Sequence, residues 1–285
     1  MEKIPIRHIK TSQKEPGFSG SFGIRDVGEL LSGEDMVQEL HRHDFFYILV
    51  VKKGTGNHDI DFTPYAVCDN TIFIMRPGQV HQLVLKAGSM GYLVQFNNDY
   101  YFPNDKAINQ SLKKASSTNY YQFSSDSFKK VLYMLDYILQ EYTYKQDRHH
   151  DVIKANMGML FIELARQHKN ITGNSANSYM QGRLEDFFAL LDTHVFTQKQ
   201  VSQYAAMLSI SIYQLNAITK NLLGKTPSEL IAERIVLEAK RYLLATPNQI
   251  NKIADILGYE DVSYFIRVFK KHTGHSPDAF RHNLK

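Results

Sequence analysis

VSQYAAMLSISIYQLNAITKNLLGKTP, from Val201 to Pro227, returns about fifty positions later as INKIADILGYEDVSYFIRVFKKHTGHSP, from Ile250 to Pro277. Ala205 and Leu208 match Ala254 and Leu257, and Gly224-Lys-Thr-Pro227 matches Gly274-His-Ser-Pro277, so the second copy has a turn one residue longer. In the first copy Val201, Ala205, Leu208, Ile210, Leu215, Ile218 and Leu222 recur at helical spacing as one apolar set. Ile250, Ile253, Ala254, Leu257, Phe265, Val268 and Phe269 do the same in the second. Each copy therefore reads as two helices joined by a tight turn. Thr197 with Gln200 and Ser211 with Gln214 have capping-box spacing, and Thr226-Pro-Ser-Glu229 adds a proline at the first helical position. The helix opened by Thr226 runs to about Leu244, about 27 Å at 1.5 Å per residue, and joins the copies as a rod.

Opposite the apolar set, the helix beginning near Ser211 carries Tyr213, Asn216, Ala217 and Lys220. The helix beginning near Val262 carries Ser263, Ile266, Arg267 and Lys270. Asn can pair bidentately with adenine and Arg with guanine, each good pair giving about 1–3 kcal/mol of discrimination. Lys at the far end of each stripe suits a phosphate, which adds affinity without sequence information. One such stripe is ordinary solvent-facing surface. Two, at matching offsets behind matching turns, point to double-stranded DNA, with Tyr213, Asn216, Lys220, Ser263, Arg267 and Lys270 as the expected contacts. Charge agrees without deciding the matter: 13 Lys and Arg against 10 Asp and Glu in 181–285 account for +3 of the net +4. After Ser263 the bases Arg267, Lys270, Lys271, Arg281 and Lys285 face only Asp278.

The front of the chain has another texture. FFYILVV, HDIDF, TIFIM, QLVLK and GYLVQF, between about 20 and 98, are rich in β-branched and aromatic residues and separated by turn formers. Ser127–Tyr144 and Val152–His168 then show apolar residues at three- and four-residue spacing, two amphipathic helices. NITGNSANSYM, within 170–180, is polar and without period, and reads as a linker. One cysteine, Cys68, excludes an intramolecular disulfide and is expected to be a small apolar filler in a strand. MEKIPIRHIK has no apolar core of a signal peptide and the longest apolar run is Phe45–Val51, so a cytoplasmic protein without a membrane span is expected.

Arg234, Ala239, Leu243-Leu244, Ile253-Ala-Asp-Ile-Leu-Gly258, Ser263-Tyr-Phe265, Arg267, Phe269-Lys-Lys271, Gly274, Ser276-Pro277 and Phe280-Arg281 resemble the signature of the AraC/XylS-type transcriptional regulators. The resemblance covers about 100 residues from Leu184. It implies two helix-turn-helix units entering successive major grooves on one face of a duplex, a groove period of about 34 Å apart. Two departures stand out. Ala217 and Thr219 occupy positions where the family's first unit often carries Arg and Phe, so the first unit should discriminate less, with Leu222 or Leu223 left to fill the core.

His41-Arg-His43, Tyr47, Gly54 and Pro77-Gly-Gln-Val-His81 are similar to the small β-barrels called cupins, many of which bind a catalytic metal through an HxH pair, a Glu and a later His. His41, His43 and His81 match the histidines, but Tyr47 stands where the carboxylate would be. The set reads as a small-molecule pocket, a set of structural histidines or a three-imidazole metal site, with His41, His43, Tyr47 and His81 as candidate ligand contacts and no metal or other cofactor required. Phe45, Tyr47 and Leu49, alternating from His43, are expected on one strand face, as pocket wall or core.

The sequence thus implies an α+β chain of two domains. A cupin-like β-barrel over 1–110 carries a helical segment over 111–169 for packing or dimerisation. A linker over 170–180 leads to an all-α tandem helix-turn-helix domain over 181–285. The expected function is a sequence-specific, ligand-responsive transcription regulator and not an enzyme, with DNA, a small-molecule effector, a second copy of the chain and RNA polymerase as partners, and with activation favoured by the resemblance. A metal-dependent cupin enzyme with an accessory helical module is the alternative, and a helical module binding protein instead of DNA is a third reading.

Overall fold

The computed structural model of the chain describes residues 6–8, 21–97, 100, 106–172 and 178–283. The fold divides into two compact units, with the division between Asn174 and Ser175.

The first unit contains β1 (Ile6–Arg7), β2 (Phe22–Asp26), α1 (Val27–Leu31), β3 (Met36–His43), β4 (Phe46–Lys53), β5 (Gly56–Ile60), β6 (Thr63–Val67), β7 (Thr71–Met75), β8 (Val80–Leu85), β9 (Met90–Phe96), α2 (Lys106–Ala115), β10 (Tyr120–Gln122), α3 (Ser125–Tyr144) and α4 (His149–Thr172). The strands form two five-stranded sheets, in the orders β1-β3-β8-β5-β6 and β10-β7-β4-β9-β2. The expected barrel is corrected here: no ladder joins the two sheets among the described residues. The edges explain why. β1 and β10 have two and three residues, and edge strand β6 carries Pro64, which has no N–H to give a neighbour.

The second sheet is the middle layer of three. Phe45, Tyr47, Leu49 and Val51 join Leu83, Leu85, Ile60 and Val67 in a core between the sheets. Phe46, Ile48 and Val50 point the other way, into a core completed by Phe128, Val131, Leu135 and Ile138 of α3 and Ile153, Met157, Leu160, Phe161 and Leu164 of α4. A strand buried on both faces needs no polar alternation, which is why FFYILVV reads as an unbroken apolar run. The helical stripes therefore cover the sheet, while Tyr133, Tyr137 and Tyr144 of α3 and Met159 and Ile162 of α4 remain exposed. The expected boundary at 110 falls inside α2, and β10 returns to the sheet after it. The expected linker shrinks too: helix continues to Thr172 and resumes at Ser178, and 173–177 lie outside the described residues. Cys68 is exposed, not a filler, because it follows the last residue of β6.

The second unit contains α5 (Ser178–His194), α6 (Val201–Met207), α7 (Ile212–Leu223), α8 (Pro227–Ala245), α9 (Ile250–Ile256), α10 (Val262–Thr273) and α11 (Pro277–Asn283). It has two cores, one around α6 and α7 and one around α9 and α10. The rod α8 supplies Leu230, Ile231 and Ile235 to the first and Val236, Ala239 and Leu243 to the second. Ser211 with Gln214 and Thr226 with Glu229 form capping boxes as their spacing predicts. Thr197 does not: α6 starts after Gln200, whose N–H is accepted by Gln203, while Thr197 donates back to His194.

Candidate functional site

The turn inside each repeat opens with the same three hydrogen bonds, and the second copy then runs one residue longer to its helix cap. Leu208 donates to the Tyr204 carbonyl, Ser209 to Ala206 and Ile210 to Ala205; Leu257, Gly258 and Tyr259 donate to Ile253, Asp255 and Ala254. Ser209 and Gly258 both adopt left-handed backbone, φ 54° and 73°. The following helices are stopped alike by left-handed Gly224 and Gly274, whose N–H groups donate to Lys220 and Lys270.

Beyond the turns, α7 buries Leu215, Ile218 and Thr219, and α10 buries Phe265 and Phe269. Tyr213, 83% exposed, and Lys220 lie on the open side of α7; Ser263, Arg267 and Lys270 lie on the open side of α10. Asn216 is half-buried and its amide donates to the Ile212 carbonyl at 3.1 Å. Ile266 is not part of the open stripe: it packs against the second core. Leu222 packs against the first core beside Thr219, while Leu223 stays exposed. The Arg267 guanidinium sits 5.7 Å from the Tyr264 ring and 3.9 Å from Asp261, the residue that caps α10. Ile212 and Tyr264, exposed in the first turns of α7 and α10, were not singled out by sequence. Each adjoins a polar stripe residue, Tyr213 or Ser263, and neither falls in the periodic apolar set.

Arg281 leaves the basic cluster. It is buried, and it donates to the carbonyls of Leu243 at 3.0 Å and Asn248 at 2.6 Å, tying α11 to the end of α8. Lys285 lies outside the described residues. Arg234 is structural as well: it pairs with Asp192 of α5 and Glu238 of its own helix.

In the first unit, His41, His43, Tyr47 and His81 come together, fully buried. His41 and His43 lie on β3, and His81 on β8 pairs directly with His41. His43 belongs to the opposite sheet from Tyr47 and Leu49, so the expected single strand face is instead one core reached from two sheets. The Nε2 atoms of His41, His43 and His81 are 3.1 Å, 2.9 Å and 2.9 Å apart. A fourth histidine, His58 of β5, reaches His81 Nδ1 through its Nε2 at 2.8 Å. Its only sequence sign is its place in HDIDF; the β5–β8 pairing brings it in. Tyr47 stacks on the His43 ring at 5.2 Å, and Phe45 and Phe73 pack against His43 and His58. Burial is the main reason that His43 and His81 are held well below the usual imidazole range and that His58 is pushed down to about 3.

The family model described as an AraC-like ligand binding domain matches residues 32–114, and one described as a helix-turn-helix domain matches 204–283. The HTH-type transcriptional activator RhaS of Enterobacter sp. (strain 638) is 22% identical over 244 residues, covering 85% of this chain and 86% of the relative. RhaS of Pectobacterium carotovorum subsp. carotovorum is 23% identical over 257 residues, covering 85% and 87%. Among solved structures, unsaturated fatty acid-bound wild-type ToxT from Vibrio cholerae aligns over 92% of this chain and 95% of its own, with 13% identity and a TM-score of 0.41.

Proposed function

The chain belongs to the AraC/XylS-type transcriptional regulators, and on that premise we propose that α7 and α10 read two successive major grooves of double-stranded DNA under the control of a sensor unit. The observation that carries this reading is the repeated turn. It projects two helices of the same length with their apolar sides buried and their polar sides open. Tyr213, Asn216 and Lys220 contact DNA from α7, and Ser263, Arg267 and Lys270 from α10. The rod between them is about 28 Å long at 1.5 Å per residue, compatible with a groove period of about 34 Å. Residues 181–285 are the reader, and residues 1–169 the sensor with its helices.

The sensor takes a small-molecule effector at the cluster of His41, His43, Tyr47 and His81. Control follows if the effector binds the DNA-competent arrangement more tightly than the other. Tyr133, 72% exposed, and Tyr137 lie on the face of α3 turned away from the sheet, a surface suited to a second copy of the chain. The relatives are named as activators, which supports activation through RNA polymerase as the mode of action and the cytoplasm as its place. No helix among the described residues is long and apolar enough to cross a membrane.

Selection from random duplex DNA with the full-length protein tests the reading. The expected result is two short motifs about one helical turn apart, bound with an affinity that falls steeply with salt. Absence of both enrichment and a salt slope would reject it in favour of a protein-binding module.

A further inference from the structure

The open sides of α7 and α10 differ from their first residue on. Ile212 opens α7 and Val262 opens α10, so the two hold matching places. Val262 packs against the core of its own copy. Ile212 is 47% exposed and stands outside both cores. A single exposed isoleucine is ordinary on most protein surfaces, but here its neighbours give it a direction. Ser211 Oγ accepts from the Gln214 N–H at 3.1 Å, Gln214 Oε1 accepts from the Ser211 N–H at 2.9 Å, and Asn216 Nδ2 donates to the Ile212 carbonyl at 3.1 Å. The polar side chains around Ile212 are thus engaged with their own helix. No charged residue occurs from Ser211 to Thr219. Ile212, Asn216 and Lys220, four apart, form one row along the helix, with exposed Tyr213 beside it. The leading end of α7 is therefore apolar and aromatic, where that of α10 carries Ser263 and Arg267.

We propose that Ile212 is a specificity-determining residue that packs on the C5-methyl group of a thymine, so that the half-motif under α7 is chosen by a methyl contact. The inference rests on the reading of α7 as a helix that enters a major groove, and deepens it. Recognition helices meet base edges through their N-terminal residues, and Ile212 is the first residue of α7. Thymine alone among the four bases places an apolar group on the major-groove edge. Against guanine, adenine or cytosine, the Ile212 side chain would cover a ring nitrogen, a carbonyl or an exocyclic amine without bonding to it. Stripping water from such a group costs free energy that an apolar contact does not return. Against thymine both surfaces are apolar, and water leaves both. A β-branched side chain in a helix is also nearly fixed at χ1, so little rotamer freedom is lost on contact. The two readers then differ in kind: α7 selects by shape and methyl burial, and α10 by the hydrogen bonds of Arg267.

The test uses the duplex selected from random DNA with the full-length protein. Each thymine in it is replaced singly by deoxyuridine, which removes the methyl group and keeps every hydrogen-bonding group of the base. At one thymine the replacement should weaken wild-type binding about three- to fivefold, the size expected for one buried methyl group. In Ile212→Ala, with folding checked by circular dichroism, the same replacement should change affinity by less than about 1.5-fold. Ile212→Val should restore most of the sensitivity. The thymine coupled to Ile212 should lie in the half-motif whose base preference Arg267→Ala leaves unchanged. Three results would overturn the proposal: no thymine sensitive to loss of its methyl group, a deoxyuridine penalty of equal size in wild type and Ile212→Ala, or coupling to a thymine in the half-motif that Arg267 reads. Enrichment of a motif with any of these results rejects the methyl contact and leaves the groove reading standing. If no duplex is enriched at all, the groove reading fails and the methyl contact falls with it.

Discussion

The two helix-turn-helix copies share a turn to the level of individual hydrogen bonds, yet their surroundings differ. In the first copy the left-handed position is occupied by Ser209, which carries a Cβ, whereas in the second a Cβ on Gly258 would lie 1.9 Å from the Phe196 carbonyl oxygen. That carbonyl accepts from Lys199 Nζ, which lies over the Tyr259 ring at 5.1 Å. Phe196 and Tyr259 each pack against both cores of the second unit. The copies are therefore joined twice, once by α8 and once by this strut from the segment before α6 to the turn before α10. A linked pair of readers held at two points keeps one spacing. The cores differ as well: α10 fills its unit with Phe265 and Phe269, where α7 has Leu215 and buried Thr219 with Leu222 beside them.

The largest expected effect breaks that second contrast. Phe269→Ala removes a fully buried ring that packs against Phe265 and Phe280, and should cost about 3–5 kcal/mol of stability in the second unit. Thr219→Ala, at the matching position, removes a hydroxyl bonded to Asn216 at 3.3 Å, and should cost about 1 kcal/mol. Denaturant unfolding followed by hydrogen exchange in α7 and α10 separates the two, and equal costs would mean that the cores are built alike. The strut comes next. Gly258→Ala must displace the Phe196 carbonyl and place a side chain at positive φ, at about 1–3 kcal/mol, and it should broaden the motif spacing recovered from random duplexes. Ser209→Gly should leave the spacing as it is and change stability by less than about 1 kcal/mol. A Gly258→Ala protein with unchanged spacing would show that α8 alone sets the geometry.

How much of this could be read in advance follows the range of the interactions. The C-terminal unit was legible because caps, turns and stops are local: Ser211 with Gln214, Thr226 with Glu229, and Gly224 and Gly274 all act within one or two turns of helix. Arg281 and Ile266 were misread because burial by a distant element leaves no mark on a basic or an apolar residue. The sheets were less legible. Strand β3 looks polar because its side chains are only alternately covered until His41, and its partner β8 lies some forty residues away. The three matching histidines could be picked out by pattern, but His58 could not, since only the β5–β8 register places it behind His81.

The smaller predictions sharpen the contrast in reading power. Arg267 is held over Tyr264 and near the Asp261 cap, so its guanidinium is presented from a fixed side of α10, whereas Ala217 at the matching position has nothing to present and Asn216 spends its amide on Ile212. Arg267→Ala should therefore cost about 1–3 kcal/mol and relax preference at one base position. Ala217→Arg should add preference at one position in the first half-motif. Lys220→Ala and Lys270→Ala should do neither. Each stands at the last turn of its helix, where its charge is proposed to reach phosphate instead of a base edge. Each loss should lower affinity about equally for all sequences and reduce the salt slope by about 1. A sequence-dependent loss at either lysine would move the base-reading face one turn along the helix. It would also make the two copies more alike than their side chains suggest.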